Sequence, residues 1–454
     1  MNVLLIYPPN PAYCILNEDF SCCEPLGLEY IAATLLENHC VDLMDMRFDK
    51  DLPAKLGGRR YQIVGVAVPF TTSINTCNLI FETVRLLSPD SITIAGGHYP
   101  STSVAGLALA HVDYIVRGEG VDSVRELLAA IERGASVNEV AGIGIVDNGT
   151  VKTTATRAVT SLDSHPLPAR QLLAINHKRY FHAHYSPITL MRFSLGCPFN
   201  CSFCILWKMT DRRYFTRLHE AIIDELNTID NNNIYVVDDE AFIQAKRMSE
   251  LARLLIESGL QKTFHMYVRS DTIVNNPQLF ADWAQAGLDS VLVGLESIFD
   301  NELEDYNKKT SLLQAKNCID ILHSNGIEIR ANFIIKPDYT LDKFRQVREA
   351  IHELNIDRPT FAILTPFIGT DTYAQVKDEL IIDTPEFYDC FHTLTRTRLD
   401  IKTFYKEFAD LFRAAQHRDT SGSNRKVFYA GKGDRFHTFV DKIENAYRYY
   451  STAT

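Results

Sequence analysis

Short apolar runs and amphipathic stretches alternate along most of this chain, in two blocks. In the first block, apolar runs at 3–7, 41–44, 63–68, 92–95 and 114–116 read as strands. Between them, 26–38, a segment opening at Thr71-Thr72-Ser73, and 121–133 carry the patterns of helices packed by one face. Strands alternating with helices predict an α/β fold with a doubly wound parallel sheet. Ligands of such sheets sit beyond the carboxyl ends of the strands. Here those ends run into Pro8-Pro9, Gly96-Gly97 and Gly118-Glu119-Gly120. Gly and Pro end strands in any fold, but several such ends together suit a large ligand lying across the sheet edge.

Residues 141–185 read as a connector, with a hairpin around Asp147-Asn148-Gly149 and an extended crossing at Pro166-Leu167-Pro168. A second alternation follows, with strands near 189–194, 233–237, 263–268, 290–294, 328–335 and 360–364. Its clearest helix, 247–258, places Leu251, Leu254 and Leu255 on one face. Six βα units predict a partial (β/α)6 barrel with its active site at the carboxyl ends of the strands. The remainder is mostly helical in pattern. The chain thus divides into 1–140, a linker at 141–185, a barrel at 186–370 and a helical region at 371–454, with 417–426 the most loop-like stretch.

No apolar run reaches the length of a membrane span. Pro8 and Pro9 interrupt the apolar start, which reads as a first strand rather than a secretory signal. A cytoplasmic location is expected, where thiols stay reduced. The 454 residues carry 46 Lys+Arg against 57 Asp+Glu, a net charge of −11, which argues against nucleic acid as the main partner. Seven of the ten cysteines are scattered and read as small buried hydrophobes. The other three, Cys197, Cys201 and Cys204, follow the first barrel strand with the spacing C-x3-C-x2-C. Three thiolates on one loop suit three irons of a 4Fe-4S cube, leaving the fourth iron open for a cosubstrate. Zinc would need a fourth ligand, for which His182 and His184 lie upstream.

This loop, with Phe203 before its last cysteine, resembles the signature of the radical SAM superfamily. The resemblance implies that the open iron chelates S-adenosylmethionine and reduces it to a 5′-deoxyadenosyl radical. It also implies roles for the strand ends. Asp238, Asp239 and Glu240 stand where the family binds the methionine ammonium, and acidic side chains supply the acceptors an ammonium needs. Arg269 would meet the methionine carboxylate, and Glu296-Ser297 stand at a ribose-binding position.

The first block resembles the cobalamin-binding domain of class B radical SAM enzymes. The matching pieces are Tyr7-Pro8-Pro9, Glu24-Pro25-Leu26-Gly27, Gly96-Gly97-His98-Tyr99 and Gly118-Glu119-Gly120, with the connector 162–170. Glycine lets backbone approach a corrin closely, and Thr71 and Thr72 would hydrogen-bond its amides. Where better-known cobalamin modules carry Asp-x-His, this chain has Asp45-Met46-Arg47, and an arginine is a poor cobalt ligand. Residues 204–209, 212–217 and 399–406 are most similar to the hopanoid C-3 methylase branch.

The resemblance implies a cobalamin-dependent methyltransferase acting on an unactivated carbon of a small-molecule or lipid-like substrate. Its electron donor would be a protein such as flavodoxin or ferredoxin. A non-methylating ring closure, contraction or rearrangement is the alternative, and a non-catalytic redox protein a third reading. No catalytic acid or base stands out in the sequence, and hydrogen-atom abstraction demands none.

Overall fold

The computed structural model describes residues 1–11, 13–15, 20–159, 161–416 and 433–450. Its first five long strands, β1 (Asn2–Tyr7), β2 (Cys40–Asp45), β3 (Ile63–Ala67), β4 (Ile92–Gly96) and β5 (Tyr114–Val116), form a parallel sheet in the order β2-β1-β3-β4-β5. Both faces are covered, so the strands are apolar along their length rather than alternating. Helices α1 (Leu26–Leu35) and α3 (Gly120–Glu132) pack one face, and α2 (Ile74–Leu87) packs the other. The strand order reverses between β1 and β3, which opens a crevice at their carboxyl ends. The hairpin expected within the connector, β6 (Ile143–Asp147) and β7 (Thr150–Thr153), extends this sheet antiparallel at β5.

The second sheet holds β8 (Thr189–Met191), β9 (Asn233–Val236), β10 (Thr263–Val268), β11 (Leu288–Glu296), β12 (Glu328–Ile335) and β13 (Arg358–Ile363), all parallel and in chain order. Helix α4 (Ala245–Ser258) buries Met248, Leu251, Ala252 and Leu255 against it, while Leu254 lies at the edge of that face and is half-buried. Helices α5 (Ile401–Gln416) and α6 (Gly433–Asn445) add Phe404, Phe408, Phe412, Phe436 and Phe439 to the same core. Between these helices and the barrel, 377–400 carries only two short 3-10 turns and a β-bridge, less helix than its pattern suggested. Pro385 is one reason, since it lacks the amide a continuing helix needs. The stretch 417–426 lies outside the described residues. Among the described residues no helix is long and apolar enough to cross a membrane.

The connector binds the two sheets together. Arg170 Nη2 donates to Leu190 O and to Glu225 Oε1, both at 2.7 Å, and its Nε reaches Glu24 Oε1 at 3.4 Å. Tyr180, fully buried, donates to Asp45 Oδ2 at 3.0 Å. These bonds tie the connector to the first domain at Glu24 and Asp45 and to the barrel at Leu190 and Glu225.

Candidate active site

The chain leaves β8, turns at Gly196 and enters the cysteine loop. Gly196 has φ +93°, and a Cβ there would stand 2.2 Å from Arg213 O, so only glycine fits. Cys201 is buried, and Cys197 and Cys204 are half-buried free thiols. The segment 306–308 straps the loop down. Ser202 N donates to Tyr306 O at 3.1 Å, Asn307 Nδ2 donates to Asn200 O at 3.2 Å, and Phe203 meets the Tyr306 ring edge-on. Trp207 Nε1 donates to Cys201 O at 3.1 Å, which makes this tryptophan part of the loop's scaffold.

Burial pushes the Cys197 thiol up to about 12 and the Cys204 thiol up to about 11. Bound iron deprotonates such thiols outright. Positive charge is in place beside them, because Arg269 Nη1 lies 3.9 Å from Cys201 Sγ and the buried Lys308 ammonium interacts with the same thiol. The donor set therefore fits an anionic iron–sulfur cluster. His182 is engaged elsewhere, with Arg330 and Ser21, and is not a fourth ligand of these cysteines.

The three acids after β9 take three different directions. Asp238 is used up structurally, with Oδ1 accepting from Phe193 N at 2.8 Å and Oδ2 from the Ser194 hydroxyl. It ties two strand ends together, so both of its oxygens are already engaged within the protein, which the sequence did not suggest. Asp239 Oδ2 accepts from Gly196 N at 3.0 Å, at the root of the cysteine loop. Glu240 Oε2 accepts from Arg269 N at 2.6 Å, while its Oε1 is buried with no hydrogen-bond partner among the described residues. Burial pushes Glu240 up to about 8 and Asp238 up to about 6. The orphaned Glu240 oxygen is the acceptor that an ammonium would meet.

Arg269 is less available than the sequence suggested. Its Nε and Nη2 hold Asp271 at 2.8 and 3.0 Å, and Nη2 also donates to Lys308 O at 2.8 Å. Only Nη1 remains, facing Cys201. Glu296 sits at φ +66°, an uncommon conformation for a non-glycine residue, and its Oε1 accepts from Lys308 Nζ at 2.9 Å. Its Oε2 is a second buried oxygen without a hydrogen-bond partner among the described residues. Ser297 Oγ donates to Glu302 Oε2 at 2.6 Å and accepts from Phe299 N at 3.0 Å, so it shapes the turn.

A cavity of about 500 Å³ opens between the two sheets. From the first domain it is lined by Tyr7, Gly96, Gly97, His98, Gly118 and Glu119, at the ends of β1, β4 and β5. From the barrel it is lined by Arg192, Asp239, and Leu206 and Met209 of the short helix after Cys204. It continues as an apolar slot between the sheet and helices α1 and α3, past Leu5, Gly65, Leu28 and Val124. A Cβ on Gly97, at φ +125°, would stand 2.7 Å from Val68 O, so the backbone there closes tightly on β3. Burial pushes His98 down, which keeps its imidazole neutral.

Several expected residues lie off this cavity. Pro69 and Phe70 line it, whereas Thr71 and Thr72 are buried in a 3-10 turn packed on the turn Pro385–Phe387. Pro8 and Pro9 follow Tyr7 but are not among the lining residues. Tyr99 is a core residue whose hydroxyl donates to Ala105 O at 2.6 Å. Arg47 turns into the protein, with Nε and Nη2 on Asp45 at 2.9 and 2.7 Å and its guanidinium 4.4 Å from the Tyr7 ring centre.

Comparison with known proteins agrees with this geometry. Residues 191–351 match the radical SAM superfamily model, and residues 14–128 match the B12-binding domain model. The chain is 29% identical over 424 residues to the hopanoid C-3 methylase of Methylococcus capsulatus, covering 90% of this chain and 78% of that one. The chain carries a radical SAM domain and a B12-binding domain and is similar to cobalamin-dependent radical SAM methyltransferases. It is also 27% identical to the anaerobic magnesium-protoporphyrin IX monomethyl ester cyclase of Rubrivivax gelatinosus, over 77% of this chain and 64% of that one. The fold matches that of the radical S-adenosylmethionine methyltransferase TsrM of Kitasatospora setae, solved with cobalamin and its iron–sulfur cluster. The TM-score is 0.74 at 16% identity, over 99% of both chains.

The radical SAM domain implies a 4Fe-4S cluster and S-adenosylmethionine, and the B12-binding domain implies cobalamin. Cys197, Cys201 and Cys204 are the thiols whose spacing and positive surroundings fit such a cluster, and Glu240 Oε1 and Glu296 Oε2 are buried acceptors with no hydrogen-bond partner among the described residues. The interdomain cavity has a glycine-lined mouth at the strand ends and an apolar slot behind it, a lining chemically suited to part of a cobalamin. Sequence reading missed Arg192, Lys308 and the slot itself. Arg192 and Lys308 pair with Glu119 and Glu296, and a strand pattern carries no signal for such pairings.

Proposed function

We propose that the protein methylates an unactivated carbon of a small-molecule or lipid-like substrate held between the cysteine loop and the interdomain cavity. One observation carries this reading. The cavity wall is built at once from Gly97 and His98 of the first domain and from Leu206 and Met209, which follow Cys204 within a few residues. When bound, the cluster with S-adenosylmethionine supplies a hydrogen-abstracting radical and cobalamin supplies a methyl group. The chain's own residues position these groups. Glu240 offers its free oxygen to the ammonium, Lys308 and Arg269 offset the negative cluster, and Asp239 anchors the loop while facing the cavity. The lining excludes water with Leu206, Met209, Leu195 and Val237.

Each turnover needs electrons from outside the chain, so a flavodoxin or ferredoxin partner in the cytoplasm belongs to this reading. A second reading, radical ring closure without methylation, is favoured by the similarity to a cyclase. Counting products decides between them. S-adenosylhomocysteine together with 5′-deoxyadenosine supports methylation, and 5′-deoxyadenosine alone supports the second reading.

A further inference from the structure

The inner face of the barrel, below the strand ends, carries a charge, that of Arg330, which none of the candidate site residues described above engages. Along β12, Ile329, Ala331, Phe333 and Ile335 pack into the core outside the barrel. Strand alternation then turns Arg330 and Asn332 inward. By register, Tyr267 on β10, Leu292 on β11 and Arg330 on β12 stand side by side. The Tyr235 hydroxyl donates to that of Tyr267. Tyr267, Leu292, Asn332, Thr360 and Ala362 on this inner face are each half-buried rather than fully packed.

Arg330 is only 6% exposed and makes no ion pair among the described residues. Other buried arginines here do: Arg47 with Asp45, Arg217 with Glu225 and Arg358 with Glu328. Among the described residues its one hydrogen bond runs from Nη1 to His182 Nε2 at 2.7 Å, and its Nε is buried without a partner. His182 brings no negative charge. Burial and the Arg330 guanidinium hold its pKa well below the usual range. Because His182 Nε2 accepts, its proton sits on Nδ1, which donates to Ser21 Oγ at 2.9 Å. The histidine and Ser21 thus brace the guanidinium and leave its charge uncompensated. Burying an unpaired guanidinium is unfavourable, and an anionic oxygen is the group whose geometry its planar fork matches.

We propose that the barrel lumen binds a substrate through an anionic head, a carboxylate or a phosphate. The head pairs with Arg330 beside the Tyr235 and Tyr267 hydroxyls, while the body of the substrate lies along Leu292 and Ala362 toward the strand ends. This assignment rests on the proposed function for placing a substrate in the barrel, and it narrows that substrate to an anion.

The test is binding to the cluster- and cobalamin-loaded protein, measured by calorimetry with octanoate, octyl phosphate and octanol as probes. The expected result is that one or both anions bind the wild type more tightly than octanol. Arg330→Met then weakens anion binding roughly tenfold to a hundredfold, as loss of a hydrogen bond to a charged group does, and leaves octanol unchanged. Arg330→Lys retains part of the anion affinity. The carboxylate and phosphate arms tell which head fits. Equal binding of octanol and both anions to the wild type overturns the proposal, as does unchanged anion affinity in Arg330→Met or no binding of any probe. Should Arg330→Met fail to fold, the wild-type comparison and Arg330→Lys still decide. Methylation products formed by a protein that shows no anion preference would remove this inference and leave the proposed function standing.

Discussion

Glu119, at the N-cap of α3, accepts a hydrogen bond from Arg192, just beyond β8, at 3.0 Å. The pair closes one wall of the interdomain cavity and joins the cobalamin domain to the barrel. Both side chains are largely buried, so Arg192→Ala leaves a carboxylate unpaired in a poorly solvated place. Loss of about 3 kcal/mol of unfolding free energy is expected, together with weaker cobalt retention after gel filtration. Cobalt retained at the wild-type level would show that the pair does not shape the cofactor cavity.

Gly196→Ala places a methyl group where Arg213 O already stands, in a backbone conformation that costs a non-glycine residue about 1–3 kcal/mol. The cysteine loop must shift to relieve the clash. The variant is expected to bind fewer than four irons per chain and to lose the cluster's visible absorbance, while cobalamin binding persists. Full iron content would mean that the loop tolerates the change.

Glu240 gives a pH signature. Burial raises its carboxyl from the ordinary 4.5 to about 8, so the folded chain holds this proton more tightly than the unfolded chain. The stability it contributes is complete below about 4.5 and is lost as pH rises through about 8, by up to roughly 4 kcal/mol. Without cofactors, wild-type stability should therefore fall from pH 6 to pH 9 relative to Glu240→Gln. Parallel pH profiles of the two proteins' melting temperatures would contradict the orphaned-oxygen assignment. In the cluster-loaded enzyme, Glu240→Gln is expected to weaken S-adenosylmethionine binding about tenfold or more, because an ionised acceptor becomes a neutral one.

Arg47 is structural rather than a cobalt ligand, since Asp45 and the Cys23 carbonyl hold its guanidinium. Arg47→Met leaves the fully buried Asp45 carboxylate without its counter-ion and is expected to cost about 3–5 kcal/mol in denaturant unfolding. A cost near zero would show that Tyr180 and the Arg47 amide alone satisfy Asp45.

The strands, their parallel arrangement and the cysteine loop were legible because each rests on local pattern: apolar runs, turn residues and a fixed spacing. The division of labour among Asp238, Asp239 and Glu240 was not. It depends on how the chain turns after β9, which sends Asp238 back to Phe193 and Ser194. Thr71 and Thr72 missed the cavity by a residue or two, because the chain bends into a 3-10 turn at Phe70 and buries them on the far C-terminal segment. Contacts across long sequence separations, such as Arg170 to Glu24 and Glu225, leave no periodic trace at all. The apolar slot beside α1 and α3 reads in sequence as ordinary core, since an empty space and a packed one have the same composition.

The most direct test of the central claim is product stoichiometry in the anaerobic holoenzyme, with cobalt and iron counted in the same sample. The account predicts one cobalt and four irons per chain, with S-adenosylhomocysteine and 5′-deoxyadenosine formed in equal amounts alongside a methylated substrate. Formation of 5′-deoxyadenosine without S-adenosylhomocysteine, from protein that holds both cofactors, would contradict it.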